Sequence, residues 1–353
     1  MKGGAGLSIQ RWTPLSVASV GTLVALAVVL AAGPLFLGAN AIDRLTTLFI
    51  YIILATMWNA LAGYGGLVSV GQQAFFGIGA YAAIRLSSFG VGVYPALVLG
   101  AVFAGAVSYA LSGFALRLRG GEFAIGMWVV AELFHLLVNL DKLIQGETGT
   151  SLIALNAFSP EHRRDYNYWL ALASVATLVA LMYALLRGRL GSSVQAIRDN
   201  EEAASSLGVR VLATKRIIFV VAGAGCGLAG TLWLATSISF QPATYFGVQW
   251  TAYMIFMALV GGLGTFEGPI LGAIVFFLME SLFGASGVWY LVGLGATAVV
   301  FALYLPRGLW GTIEERFGLR LLPVGYRVTA SGSTGLAARS DAAESGGDSR
   351  GAH

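Results

Sequence analysis

Ten apolar stretches recur along the 353-residue chain, at about residues 15–37, 45–62, 74–89, 93–116, 122–140, 168–186, 216–238, 247–263, 269–284 and 288–305. A helix needs roughly 20 apolar residues to cross the hydrocarbon core of a bilayer. The pattern therefore predicts an all-α integral membrane protein of about ten transmembrane helices, within a range of eight to ten. Charged residues are 11 % of the chain and apolar residues 57 %, whereas a soluble domain is about one quarter charged. Most of this surface does not face water. A soluble enzyme, a nucleic-acid reader and a secreted disulfide scaffold are all excluded. The net charge of +4 comes from cations scattered between apolar runs, which is how topology signals look. The partner it implies is the lipid bilayer, not nucleic acid.

The scarce residues exclude more. Cys226 is the one cysteine, and His135, His162 and His353 form no metal spacing, so no metal site is expected. The three lysines, Lys2, Lys142 and Lys215, follow Met, Asp and Thr. A phosphate-binding loop needs Gly-Lys-Ser/Thr, so the chain is not expected to be an ATPase or to bind a cofactor. The first stretch is too long for a signal-peptide core. An Ala-x-Ala at Ala39–Ala41 would permit cleavage, but an uncleaved first span is favoured.

With ten spans, sixteen of the 21 Lys and Arg fall on one side, four on the other (Arg44, Lys142, Arg163, Arg164), and Arg85 lies within a span. Cytoplasmic loops carry the excess of Lys and Arg, which places both termini in the cytoplasm. The expected domains are a cytoplasmic N-terminus (1–14), a membrane domain (15–312) and a cytoplasmic tail (313–353). Loop 141–167 faces outward and loop 187–215 faces the cytoplasm. From about Tyr326 the tail is rich in Gly, Ser, Ala and Asp and reads as largely disordered.

Within the cytoplasmic loop, Gly191–Gly208 reads as one helix. Ser192 or Ser193 would cap its start, and Gly208 suits the left-handed position after its end. Val194, Ile197, Ala204 and Leu207 share a face, with Arg198, Asp199, Glu201 and Glu202 elsewhere. Lipid-surface helices usually have a basic polar face. Three acids and one Arg favour a groove on a partner protein instead.

Four glycines lie within Gly63–Gly71, beside Ser69, Gln72 and Gln73. Interrupted hydrophobic segments point to a translocation site; a tight cytoplasmic turn is the alternative. The second cluster, Gly261–Gly268 with Glu267, reads as a turn. Small-xxx-small spacings at Gly223 and Gly227, Gly79 and Ala83, and Gly268 and Gly272 suggest close helix packing. Of the charges in or near spans, Glu132 and His135 are at i, i+3 and face each other, as a structural pair or as part of a pathway. Arg85 is expected to snorkel toward the outer surface, and Glu280 to be structural.

Several ordered motifs carry a family resemblance over about residues 45–312. Glu202-Ala203-Ala204, then Gly208, then Ile218 resembles the loop by which bacterial ABC importer permeases dock into their ATPases. The segment Gly63–Tyr81 resembles the signature of branched-chain amino acid permeases of the LivM type. So do Leu116–Ile125, Ala196–Glu201, Gly261–Gly264 with Gly268-Pro269, and Leu305–Leu309. Two departures are Val220-Val221 in place of a closing Leu-Pro, and Gln72 where His is expected.

The resemblance implies a permease subunit of an ABC importer in the bacterial inner membrane, carrying branched-chain or other hydrophobic amino acids. It implies a second homologous permease, two ABC ATPases that hold ATP and Mg, and a periplasmic substrate-binding protein. Arg198, Asn200, Glu201, Glu202, Ala203 and Gly208 would form the ATPase-coupling element. Gly65, Gly66, Ser69, Gln72, Gln73, Phe75 and Glu132 would line the translocation pathway. Urea, amides or aromatic acids are alternative cargoes. An ion-coupled secondary transporter is the rival of another class; it would need intramembrane carboxylates, for which only Glu132 qualifies well.

Overall fold

The computed structural model describes residues 7–10, 14–317, 321–322 and 327–330. Its helices are α1 (Pro14–Ala31), α2 (Ala39–Asn59), α3 (Gln73–Ser88), α4 (Val93–Ala115), α5 (Gly121–Asn139), α6 (Pro160–Arg187), α7 (Arg189–Asp199) and α8 (Glu201–Ser206). They continue as α9 (Val211–Ser237), α10 (Pro242–Tyr245), α11 (Gln249–Gly261), α12 (Gly268–Phe283), α13 (Val288–Tyr304) and α14 (Gly308–Phe317). Two antiparallel strand pairs join β1 (Leu7–Gln10) to β4 (Arg327–Ala330) and β2 (Thr150–Ser151) to β3 (Ser239–Phe240).

Each apolar stretch holds a helix, yet among the described residues only seven segments are long and apolar enough to cross a membrane. The chain is an all-α multi-pass membrane protein with seven clear spans, where about ten were expected. For two of the three helices that fall short the difference has a local cause; the third, α1, counts only over Ala18–Ala31. Helices α3 and α12 have 16 residues each and so rise about 24 Å, short of the ~30 Å hydrocarbon core. The glycine-containing segments 65–72 and 262–267, which precede them, take those residues out of helix.

Successive connections alternate between two ends of the bundle. One end gathers α7, α8 and the segments after α2 and α11. The opposite end gathers the 140–159 loop, α10 and the β2–β3 pair. The closest helix packing is that of α4 along α9 and α3. There Gly79 abuts Gly227, and a Cβ placed on Gly100 would lie 2.6 Å from the carbonyl oxygen of Gly79. Small residues let these backbones touch, which is how helices associate without a hydrophobic drive.

Helix α2 passes into a π-helical turn, Ala60–Tyr64, and residues 65–72 then run without helix. Leu67 and Ser69 are buried, while Gly66 and Val68 between them are exposed. Trp58 Nε1 donates to the carbonyl of Ser69 at 3.0 Å, so this segment folds back beside the helix it left.

The structure differs from several expectations. The single helix over 191–208 is two helices, because Asn200 leaves the helical conformation and its side chain caps α8 through the N–H of Ala203 at 2.9 Å. Ser192 and Ser193 do not cap; both hydroxyls donate back to the Arg189 carbonyl. Arg85 reaches the 140–159 end of the bundle, its side chain 37 % exposed, and its head is held there by Asp141. Its Nε bonds Asp141 Oδ2 at 2.7 Å and its Nη2 bonds Oδ1 at 2.5 Å. The 312 boundary falls inside α14, whose Glu315 pairs with Arg307 at 2.6 Å, and β4 lies within the segment read as disordered. Residues 331–353 of that segment lie outside the described residues.

Candidate functional site

A cavity of about 280 Å³ opens where the start of α3, the middle of α5 and the α10–α11 connection meet. Gln73, Trp128, Glu132, His135, Phe246 and Val248 line it. Residues 128, 132 and 135 share one face of α5 because they are spaced i, i+4, i+7. Gln73 begins α3 and is buried, its Oε1 accepting the Thr251 hydroxyl in a short hydrogen bond. No protein acceptor takes its Nε2 among the described residues.

Glu132 and His135 do pair, at 3.2 Å between Oε1 and Nδ1. The pair extends further: His135 Nε2 faces Glu147 Oε1 at 2.8 Å, and the ring stacks on Phe246 at 5.9 Å. The ring thus bridges two carboxylates through its two nitrogens. Glu147 also accepts from Asn139 Nδ2, in a short bond, and from the N–H of Ala243 at 3.0 Å. Burial pushes the Glu147 carboxyl up, but Asn139, Ala243 and His135 outweigh it and hold it below its ordinary value.

The Glu132 side chain is 57 % exposed and sits seven residues, about 10 Å, from the Asn139 end of α5. A charge facing lipid at mid-membrane costs about 2.5–3.5 kcal/mol on insertion scales. This face of α5 is therefore unsuited to lipid and suited to a polar path or a partner surface.

A second cluster forms at the α7–α8 end, where both glycine clusters meet. Asn59 Oδ1 accepts the Gly264 N–H at 2.8 Å, and its Nδ2 donates to the Thr265 carbonyl at 2.9 Å. Arg198 Nη1 donates to the Gly63 carbonyl at 2.7 Å. Glu201 pairs with Lys215 of α9 at 2.6 Å, while Asn200, Glu202 and Ala203 are exposed. Gly208 has φ +85°, the left-handed position expected after the helix. Val194, Ile197 and Ala204 are buried as their shared face suggested, but Leu207 is 84 % exposed.

The candidate residues thus separate. Gln73 and Glu132 come together at the cavity. Gly66 lies on the exposed side of segment 65–72, while Gly65, Ser69, Gln72 and Phe75 are buried in this chain. Phe75 packs edge-on against Phe219, and both amide atoms of Gln72 are buried without a partner. Glu280 is held by the Tyr51 hydroxyl at 2.9 Å. Trp128, Phe246, Val248, Glu147 and Asn59 went unpicked in the sequence. Only Trp128 had a usable signal, one turn before Glu132.

At the opposite end Asp141 accepts from Tyr81 at 2.6 Å, the Leu143 N–H at 3.0 Å and Arg85. Burial raises its carboxyl, but these bonds prevail and hold it below its ordinary 3.8. Among the described residues, no group of three or more His, Cys, Asp or Glu is placed to hold a metal.

Known proteins bear on the same region. The chain is 29 % identical over 314 residues to the high-affinity branched-chain amino acid transport system permease protein LivM of Escherichia coli, covering 81 % of this chain and 74 % of that protein. It is 24 % identical over 247 residues to a probable branched-chain amino acid transport permease protein LivM of Methanocaldococcus jannaschii, 65 % of this chain and 71 % of that one. A shorter similarity, 29 % over 140 residues, reaches the L-arabinose transport system permease protein AraH of Escherichia coli, 38 % of this chain and 40 % of that protein. No solved structure matches the chain. The model of the branched-chain amino acid transport system permease component matches residues 40–305, three quarters of the chain and all of α2 to α13 but the first residue of α2, and the chain belongs to that family.

Proposed function

We propose that this chain is the membrane-spanning permease subunit of an ABC importer for branched-chain or other hydrophobic amino acids. In this reading ten helices cross the bacterial inner membrane, α3 and α12 as short members completed by the segments before them. The α7–α8 end faces the cytoplasm and the α10 end faces the periplasm. The β1–β4 pairing, which brings the two ends of the chain together, fits an even number of crossings. A second homologous permease completes the pathway, a periplasmic binding protein delivers substrate, and two ATPases supply the energy.

The observation that carries the reading is the Arg198–Gly63 hydrogen bond. It ties the exposed α7–α8 loop to the place where α2 breaks, so a push on the loop reaches the interrupted helix. Asn200, Glu202, Ala203 and Leu207 present the docking surface, Glu201 braces it on α9, and Gly208 ends it. The test is uptake of labelled L-leucine by proteoliposomes holding the complete complex, with ATP inside and outside in turn. Uptake is expected only when ATP reaches the ATPases. Glu202→Lys should reduce substrate-stimulated ATP hydrolysis, more so at low salt, because exposed charges are screened over about 10 Å at 0.1 M. Uptake that persists without any ATPase and stops when the proton gradient is dissipated would replace this reading with the secondary transporter.

A further inference from the structure

We propose that the cavity between α3, α5 and the α10–α11 connection recognises a single zwitterionic amino acid with an apolar side chain. Glu132 receives its ammonium group, Gln73 Nε2 its carboxylate, and Trp128, Phe246 and Val248 its side chain. The proposal rests on the import reading above and adds the site and its selectivity.

Size supports it first. At about 280 Å³ the cavity is just below the usual range of ligand pockets, which run from ~300 Å³ upward. That is room for one small molecule and not for a peptide. The lining has the usual composition of such pockets, apolar walls with a few placed polar groups.

Each polar group has a free function left. Glu132 spends Oε1 on His135, and Oε2 has no protein partner among the described residues. A carboxylate can accept several hydrogen bonds, and an ammonium group makes charge-assisted ones. His135 fixes where that carboxylate points, because Glu147 and Phe246 hold the imidazole from its other sides. Gln73 is set by Thr251, which orients the amide and leaves Nε2 to donate. The two recognition groups come from different helices, so a ligand that bridges them must offer a donor to Glu132 and an acceptor to Gln73, as the ammonium and carboxylate of one amino acid do. A side chain with its own charge would find no partner on Trp128, Phe246 or Val248.

The test uses the complete transporter with its binding protein in proteoliposomes, comparing initial uptake of L-leucine and L-valine. The binding protein is the same throughout, so a change in the leucine-to-valine ratio belongs to the permease. Val248→Trp fills the cavity from a half-exposed position and should shift the ratio at least about threefold toward valine, since one methylene is worth ~10-fold or more in a fitted pocket. Glu132→Gln removes the charge and should lower uptake of both about tenfold or more, with assembly checked by co-purification. If Glu132→Gln does not co-purify with its partners, the ratio in Val248→Trp decides alone. Wild-type uptake by Glu132→Gln, or an unchanged ratio in Val248→Trp, overturns the site. Failure of the unmodified complex to import either amino acid overturns the import reading, and the site assignment with it.

Discussion

Removing the carboxamide of Asn59 should loosen the 262–265 turn and leave the rest of the bundle intact. Asn59 is 2 % exposed, and its two hydrogen bonds go to the Gly264 N–H and the Thr265 carbonyl. Asn59→Ala removes both partners at once. A buried donor or acceptor left unpaired costs about 1–3 kcal/mol. Gly264 and Thr265 are only half-buried, so water replaces part of what is lost and the low part of that range applies. Two groups then give about 2–3 kcal/mol of local opening. At 1.4 kcal/mol per decade, amide exchange in the turn should rise about 30–150-fold. The assay is hydrogen–deuterium exchange of the purified protein in nanodiscs, followed on peptides covering 259–268. Peptides covering β2 and β3, at the opposite end, serve as the control and should not change. Asn59→Asp keeps an acceptor for Gly264 but sets an oxygen against the Thr265 carbonyl, so it should also exchange faster than wild type. A change below about threefold in Asn59→Ala, with the control unchanged, would refute the claim that this side chain clamps the two glycine segments.

Two further outcomes are expected. Gly208→Val meets no atom within 4 Å of its Cβ but must hold φ +85°, a strain of ~1 kcal/mol or more; assembly should survive while substrate-stimulated ATP hydrolysis falls, and full stimulation would count against residues 191–208 as the coupling element. Asp141 titrates lower folded than its ordinary 3.8, so its contribution to stability is complete above that value and is lost as pH falls through the depressed folded value; melting curves between pH 7 and pH 3 should fall more steeply at the acid end for wild type than for Asp141→Asn, and parallel curves would sink the assignment.

What the sequence disclosed follows from how far each signal reaches along the chain. Hydropathy is local, and each of the ten apolar stretches holds a helix. Glycine spacing is local too, and the contact of Gly79 with Gly227 follows from it. The pairing of Glu132 with His135 needs only one helical turn. The break at Asn200 had a signal as well, since Asn followed by Glu201 and Glu202 is a cap with acids in the first turn. The continuous apolar face from Val194 to Leu207 masked it, and the break then turned Leu207 outward. Contacts between distant segments had no such trace. Asp141 holds Arg85 from 56 residues away, so a side chain read as reaching for the surface is held by a carboxylate of the 140–159 loop. Phe246 lay in a gap between two predicted spans, where α10 folds back toward α5. The cavity is assembled from three separate segments, and no one of them announces it.

The cost of segment 65–72 says something about its use. A straight helix there would satisfy every backbone group by itself. The interruption instead recruits partners one at a time: Gly65 and Leu67 donate back to Ala60 and Leu61, Ser69 receives Trp58, and the Ser69 hydroxyl takes the Gly71 N–H at 3.3 Å. Both side-chain amide atoms of Gln72 also remain unpaired. Nonhelical backbone at this depth is tolerated only where protein or a cavity covers it. Here it begins two residues after Gly63, whose carbonyl Arg198 holds, and ends at Gln73, the first residue of α3 and part of the cavity wall. The α2 helix could not place a polar side chain at that depth and also present a carbonyl to the α7–α8 loop without breaking. The interruption therefore links the two clusters along one short stretch of chain.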